Sequence, residues 1–394
     1  MLQDNAFARL SDFEDSHAEF TAIRRHLHAH PELSHEEAET AGFVAAKLEA
    51  WGYEVTRGIG GHGVVGRLKV GNGTRSIGIR ADMDALPITE ETGLDYASTK
   101  PGTMHACGHD GHTTVLLAAA EYLARTRRFS GTLNLIFQPA EEGGGGGREM
   151  VKDGMMEKFA ISEVYGMHNL PGLDVGRFAT RPGPIMASTD EFNVVVRGRG
   201  GHAAMPHTTV DPVVIAAQII SALQTIASRN VDPLQSTVVS VTILKAGDAS
   251  NVIPDEVKFA GTIRTLTPEI RDYSQKRLRE ISEGVASAMG GEARVTVHTG
   301  YPVTRNHGEQ TGVALNAAGD VAGLSNIDPD INPMMGGEDF SYMLNARPGN
   351  FIFIGNGATA ALHNADYDFN DEIIPHGVSY WVRLAETRLA SLAA

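Results

Sequence analysis

The sequence predicts an α/β chain: a mostly parallel sheet with helices on both faces, into which a smaller α+β unit is inserted. Three observations carry that fold class. Helix-like and strand-like segments alternate over the first 185 residues, which is the pattern of layered α/β architecture. One of those strands, "SIGIRADMDAL", is apolar enough to lie at the centre of a parallel sheet. Between Pro182/Pro184 and residue 300 the order changes to strand, helix, strand, strand, helix, strand, a ferredoxin-like βαββαβ unit.

Taken in order, "EFTAIRRHLHAHPEL" has helical spacing and stops at Pro31. "SHEEAETAGFVAAKLEAWGY" opens with Ser34 and Glu37 in a capping-box pattern and ends at Gly52. "GVVGRLKV" and "SIGIRADMDAL" are β-rich. "GHTTVLLAAAEYLART" is a buried helix and "GTLNLIFQP" a strand. The glycine run Gly143 to Gly147, a short helix over 147–152 and the strand "SEVYGMHNL" follow. The inserted unit reads "EFNVVVRGRG", "DPVVIAAQIISALQTIA", "STVVSVTILKAG", "DEVKFAGTIRTL", "PEIRDYSQKRLREISEGVASAM" and "ARVTVHTGY". The α/β pattern resumes with "NFIFIGNG" and the terminal helix "VSYWVRLAETRLASLA". The expected organisation is a discontinuous larger domain, 1–185 and 300–394, around an inserted domain, 186–299.

Composition limits the function classes. A length of 394 residues suits two domains. The net charge of −15, from 48 acidic against 33 basic residues, argues against nucleic acid or an anionic membrane as partner. The sequence holds no uninterrupted run of about 18 apolar residues, so no transmembrane helix is expected. The first twenty residues lack the basic start and apolar stretch of a secretory signal. A single cysteine cannot close an intrachain disulfide, which suits the reducing cytoplasm.

That cysteine stands in "HACGHDGH", residues 105–112, among three histidines. Cys107 and His109 are one residue apart, just before an apolar helix, and on an extended loop such neighbours share a side. Strand-to-helix loops are where open α/β sheets bind ligands. Other ligand types follow other strands: Glu141 and Glu142 after "LNLIFQ", His168 in "GMHN" and His363 in "ALHN". Cys, His and Glu gathered at several sheet ends predict a metal site. Asp82 and Asp84 leave the best central strand, and buried acids need partners; one role is to hold a ligand histidine in one tautomer. "GIGGHG" at 58–63 precedes a strand rather than a helix, so it reads as a turn and not as a dinucleotide fingerprint. Gly143–Gly147 lacks the Lys-Ser/Thr ending of a phosphate loop.

The ordered series "RADMDALP", "MHACGHDGHT", "QPAEEGGGG", "GMHN", "GRGGHAAMPH", "NVIPD", "GTIRT" and "GGEDFS" runs from 80 to 341. It resembles the aminoacylase/carboxypeptidase group of dinuclear metallopeptidases. Within that group it is similar to the branch of hippurate hydrolases, N-acyl-amino-acid amidohydrolases and indole-acetyl-amino-acid hydrolases. The resemblance implies an amidohydrolase cleaving N-acyl-amino acids to a free amino acid and a carboxylic acid, with a dipeptidase or aminopeptidase as the alternative. It implies two divalent metal ions, zinc or manganese, held by Cys107, His109, Glu142, His168 and His363, with Cys107 between them. Glu141 matches the general base, and Asp84 is grouped with it and His202 as catalytic. Asp82 stands where relatives carry a ligand histidine, an imidazole that His109 is expected to supply. His202 is expected to donate to the oxyanion, and Asn251 and Arg264 to clamp the substrate carboxylate. The inserted domain would be a lid and dimerisation domain, giving a homodimer or a dimer of dimers in which His202 serves the partner's metals.

Overall fold

The computed structural model describes residues 10–390. Residues 1–9, the first part of the stretch in which no leader is expected, and the last three residues of the expected terminal helix lie outside the described residues.

The chain divides into two compact units: Met1–Gly183 with Arg305–Asn332 and Asp339–Ala394, and Pro184–Thr304 with Pro333–Glu338. Against the expected bounds, the inserted unit starts at Pro184 rather than 186, runs to Thr304 rather than 299, and takes in one further segment. Pro333–Glu338 belongs with the inserted unit, because Met334 donates its N–H to Ile185 (2.9 Å) and accepts from Ala187 (3.1 Å).

The larger unit is built on β1 (Glu54–Ile59), β2 (Gly63–Val70), β3 (Ser76–Asp82), β4 (Gly131–Gln138), β5 (Glu163–Pro171), β6 (Phe178–Ala179), β7 (Ile327–Asp328) and β8 (Gly349–Gly357). Their order in the sheet is β1-β2-β4-β3-β5-β8-β6-β7. The four central strands β4, β3, β5 and β8 run parallel to one another. β1 pairs antiparallel to β2, β2 to β4 and β6 to β8, whereas β7 runs parallel to β6. Every residue of β3 and β4 is buried, as near-continuous apolar runs in a covered parallel sheet require.

Helices α1 (Glu14–Ala29), α2 (Ala38–Ala50), α3 (His109–Thr126), α4 (Gly146–Lys152), α5 (Gly308–Ala322) and α6 (Ile374–Arg388) complete the layers. Ile77, Ile79 and Ala81 join the core formed with Val115, Leu116, Trp381 and Val382. Alternation turns Arg80 to the opposite face, where its guanidinium lies 5.7 Å from the Phe340 ring. α3 is buried along most of its length, as its sequence predicted.

One sequence expectation is corrected. Ser34 and Glu37 do not form a capping box: α2 starts at Ala38 with no side-chain cap. Ser34 Oγ instead donates to Asp84 (2.7 Å), and Glu37 accepts from the N–H groups of His35 (3.0 Å) and Ala140 (2.8 Å). "GIGGHG" is the hairpin between β1 and β2, with Ile59 opposite Gly63.

In the inserted unit the strands Thr237–Ala246, Glu256–Thr265, Ser188–Arg197 and Glu292–Thr299 lie side by side in that order, all antiparallel. The helices Pro212–Leu223 and Pro268–Ala288 share its core through Ile215, Ile219, Leu223, Leu278 and Ala286. Each helix starts on a polar cap: Asp211 accepts from Val213 (2.8 Å), and Thr267 from Ile270 (3.3 Å). The stretch Pro212–Asn230 is long and apolar enough, by composition, to cross a membrane, with a mean hydropathy of 1.2. Its apolar face is used in this core. Thr237–Ala246 is an edge strand on which Ile243 and Leu244 are exposed, the kind of edge open to strand pairing.

Candidate metal centre

The parallel strands β3, β4, β5 and β8 end on one edge of the sheet, and most of the expected site residues follow those ends. Asp84 lies two residues beyond β3 and is buried. Its Oδ1 accepts the Glu141 N–H (3.0 Å) and its Oδ2 the Glu142 N–H (2.9 Å). With Ser34 also donating to Oδ2, both carboxylate oxygens are occupied. This geometry makes Asp84 an organiser of the Glu141–Glu142 turn. Turn strain agrees with that organisation, since Ala140 sits in the left-handed region at φ 51°.

His109 is the first residue of α3. Its Nδ1 donates to the Asp84 carbonyl (2.9 Å), leaving Nε2 buried with no hydrogen-bond partner among the described residues. Burial opposes its protonation, yet the carboxylates of Asp82 and Asp84 push its pKa up to about 10. An imidazole in that field attracts a cation of some kind, a proton or a metal. His168, near the end of β5, donates Nδ1–H to the Asn169 carbonyl (2.6 Å). Its Nε2 lies 3.3 Å from Cys107 Sγ. Burial, followed by His112, holds His168 well below the ordinary imidazole range, so it stays a neutral electron-pair donor.

Cys107 is 7% exposed. Burial and then the carboxylates of Glu142 and Glu141 drive its thiol well above the usual range. A thiolate at this position therefore needs positive charge beside it. Glu142 Oε1 lies 3.3 Å from His363 Nε2 and 3.9 Å from His109 Nε2. That oxygen makes no hydrogen bond among the described residues. His363 is held at φ 63° by its N–H bond to the Ala106 carbonyl (2.8 Å). Glu141 is buried beside these groups, with Oε1 3.3 Å from the Asp339 N–H.

Donor atoms of Cys107, His109 and His168 all lie within 4.8 Å of one another, as do those of Cys107, Glu142 and His363. The two triads share the thiol. Donors of mixed thiolate, imidazole and carboxylate type suit a zinc-like divalent ion. Buried lone pairs without partners, two triads and one common sulfur fit a pair of cations.

Sequence reading missed the layer beneath. His112 also lies within 4.8 Å of Asp82 and His109, but both of its nitrogens are used. Nδ1 donates to Asp82 (2.6 Å) and Nε2 accepts the Asn169 N–H (3.0 Å). Asp82 is further held by Arg80 Nη1 at 2.6 Å. Burial opposes its ionisation, but Arg80, His109 and His112 keep it well below the usual carboxylate range. Asp82 is thus a buried counter-charge rather than a free ligand. The second histidine of "GHDGH", three residues from His109 on one helix face, was the available signal.

The remaining expected residues lie on the inserted unit. Gly201–His202 pairs with Val252–Ile253, with His202 opposite Val252. His202 is exposed, and its Nδ1 accepts from Ala204 N–H (3.1 Å), which puts the proton of the neutral ring on Nε2. Asn251 is exposed, and its carbonyl accepts from Ala203 (3.0 Å). Arg264, on strand Glu256–Thr265, is partly buried and makes no ion pair among the described residues.

Known proteins resemble this chain along almost all its length. A family model described as peptidase family M20/M25/M40 matches residues 78–387. Hippurate hydrolase of Campylobacter jejuni is 44% identical over 371 residues, covering 94% of this chain and 97% of that one. N-acetyl-L-cysteine deacetylase of Bacillus subtilis is 42% identical, covering 89% and 84%. A crystal structure from Bacillus subtilis, described as a dinuclear metal-binding peptidase from the M20 family, superposes with a TM-score of 0.84. It is 35% identical and covers 96% of this chain and all of its own.

Proposed function

Because this chain belongs to peptidase family M20/M25/M40 and is a metal-dependent amidohydrolase, we propose that it cleaves N-acyl-amino acids to a free amino acid and a carboxylic acid. The observation that carries the reading is the pair of triads sharing Cys107. Cys107, His109 and His168 would hold one divalent ion, and Cys107, Glu142 and His363 the other, with zinc or manganese the candidates. Bound there, the two ions supply Lewis acidity, which acidifies a water and polarises the scissile carbonyl.

The chain's own groups do the rest. Glu141 takes the proton from the attacking water on a carboxylate oxygen and delivers it to the leaving nitrogen. The Asp339 N–H orients that carboxylate. Asp84 fixes the turn so that Glu141 and Glu142 serve different tasks. His202 offers Nε2–H to the oxyanion developing at the metal centre of a partner subunit. Asn251 and Arg264 take the carboxylate of the amino-acid half, for which a partly buried guanidinium without an ion pair is suited.

The test is a comparison of an N-benzoyl amino acid with an unblocked dipeptide of similar size, using the metal-loaded full chain. The N-benzoyl compound is expected to be the better substrate by kcat/KM. Preference for the dipeptide would make the enzyme a peptidase instead. Arg264→Ala is expected to raise KM for N-acyl-amino acids about ten- to a hundredfold, since a hydrogen bond to a charged group contributes roughly 1.5–3 kcal/mol. The corresponding amino-acid amides, which lack the charge, should be little affected. Equal losses on both substrate types would leave Arg264 a structural residue.

A further inference from the structure

Asn169 follows the ligand candidate His168 and is completely buried, as is Tyr367. Asn169 Nδ2 donates to the Cys107 carbonyl (2.7 Å), and its Oδ1 accepts from Tyr367 Oη (2.8 Å). Its main chain makes two further bonds. The carbonyl accepts from His168 Nδ1 and the N–H donates to His112 Nε2. One residue thus touches the backbone of Cys107, the ring of His168 and the imidazole that partners Asp82.

The loop between Cys107 and His109 is pressed against this residue. Gly108 has φ 90°, and a Cβ there would lie 2.4 Å from Asn169 Nδ2 and 2.5 Å from Tyr367 Oη. Glycine is needed for both reasons, backbone conformation and space. Tyr367 stands four residues after His363 and donates its N–H to the Asn364 carbonyl (3.1 Å). The bond from Tyr367 to Asn169 therefore connects the loop of His363 to the Cys107–His168 pair.

We propose that Asn169, gripped by Tyr367, is a positioning residue for the metal centre: it sets Cys107 and His168 at ligand spacing and joins the His363 loop to them. The proposal rests on the metal-centre reading above. A rigid donor set loses less freedom when it binds its ion, and partners of this outer kind are typically worth ~10–100-fold in metal affinity. The main-chain bonds of Asn169 to His168 and His112 survive side-chain substitution, while the contact of its Nδ2 with His112 Nε2 (3.1 Å) is lost. Substitution therefore removes the ties to Cys107 and Tyr367 and one contact to His112 while leaving the His168 bond in place.

The test is cobalt(II) titration of the metal-stripped full chain, unmodified, Asn169→Leu and Tyr367→Phe, with a competing chelator to give affinities. Absorption from thiolate-to-cobalt charge transfer reports ligation by Cys107. Asn169→Leu is expected to bind cobalt about 10–100-fold more weakly, with a weaker charge-transfer band per cobalt bound. Tyr367→Phe, which removes one hydroxyl and keeps the ring, should change both in the same direction by less. Should Asn169→Leu not fold, Tyr367→Phe decides by itself. Affinity and band unchanged from the unmodified chain would overturn the positioning role. Absence of any thiolate band in the unmodified chain would contradict the metal centre itself and is thereby distinguished.

Discussion

Glu141→Ala is expected to keep its metal ions and lose turnover by roughly 10²–10⁴-fold, the usual contribution of a general base. Glu142→Ala is expected to lose metal. The two residues are adjacent, and only their surroundings separate them. Their N–H groups are bound to the two oxygens of Asp84 at 3.0 and 2.9 Å, which fixes the turn. From there Glu141 Oε1 approaches the Asp339 N–H, while Glu142 Oε1 approaches His363 and His109. A base has to neighbour the ions without being spent on them. Steady-state kinetics and elemental analysis on both variants check the assignment. Swapped phenotypes, or a near-normal kcat in Glu141→Ala, would show that the pair has been assigned wrongly.

Cys107→Ala is expected to weaken both metal ions together. The thiol is the one member common to the triads with His109 and His168 and with Glu142 and His363. Outer partners alone are worth ~10–100-fold in affinity, so removal of a shared donor should exceed that for each ion. The substitution is small and leaves Ala106, Gly108 and the N-terminus of α3 in place, so loss of folding does not explain loss of metal. Full metal content in Cys107→Ala, measured after dialysis against a weak chelator, would exclude a bridging role.

The layered fold was legible because its signals are local and strong. A completely buried β3 reads as an apolar run, and α3 reads as an apolar helix. The order of strands and helices in the inserted unit followed from period and turn residues alone. The ligand candidates could be found because Cys, His and Glu seldom cluster after strands by chance. Less visible were residues whose role depends on distant partners. Ser34 and Glu37 have the spacing of a capping box but are taken by Asp84 and Ala140, which are remote in sequence. Asp84 likewise takes its donors from segments remote in sequence, the N–H groups of Glu141 and Glu142 and the Ser34 hydroxyl. Asn169 and Tyr367 carry no spacing signal of their own, because a tertiary contact between β5 and the His363 loop brings them together. The short stretch Pro333–Glu338 joined the inserted unit through backbone pairing, which leaves no mark on side-chain pattern.

The central claim is that two divalent ions sharing Cys107 make this chain an amidohydrolase, and metal titration tests it most directly. The full chain is stripped with a chelator and zinc or manganese is added back in measured amounts, with N-benzoyl amino acid hydrolysis and bound metal followed together. Activity is expected to vanish on stripping and to return to a plateau at about two ions per chain, with Glu141→Ala taking up the same two ions and staying inactive. Full activity at one bound ion, or in the stripped chain, would contradict the account.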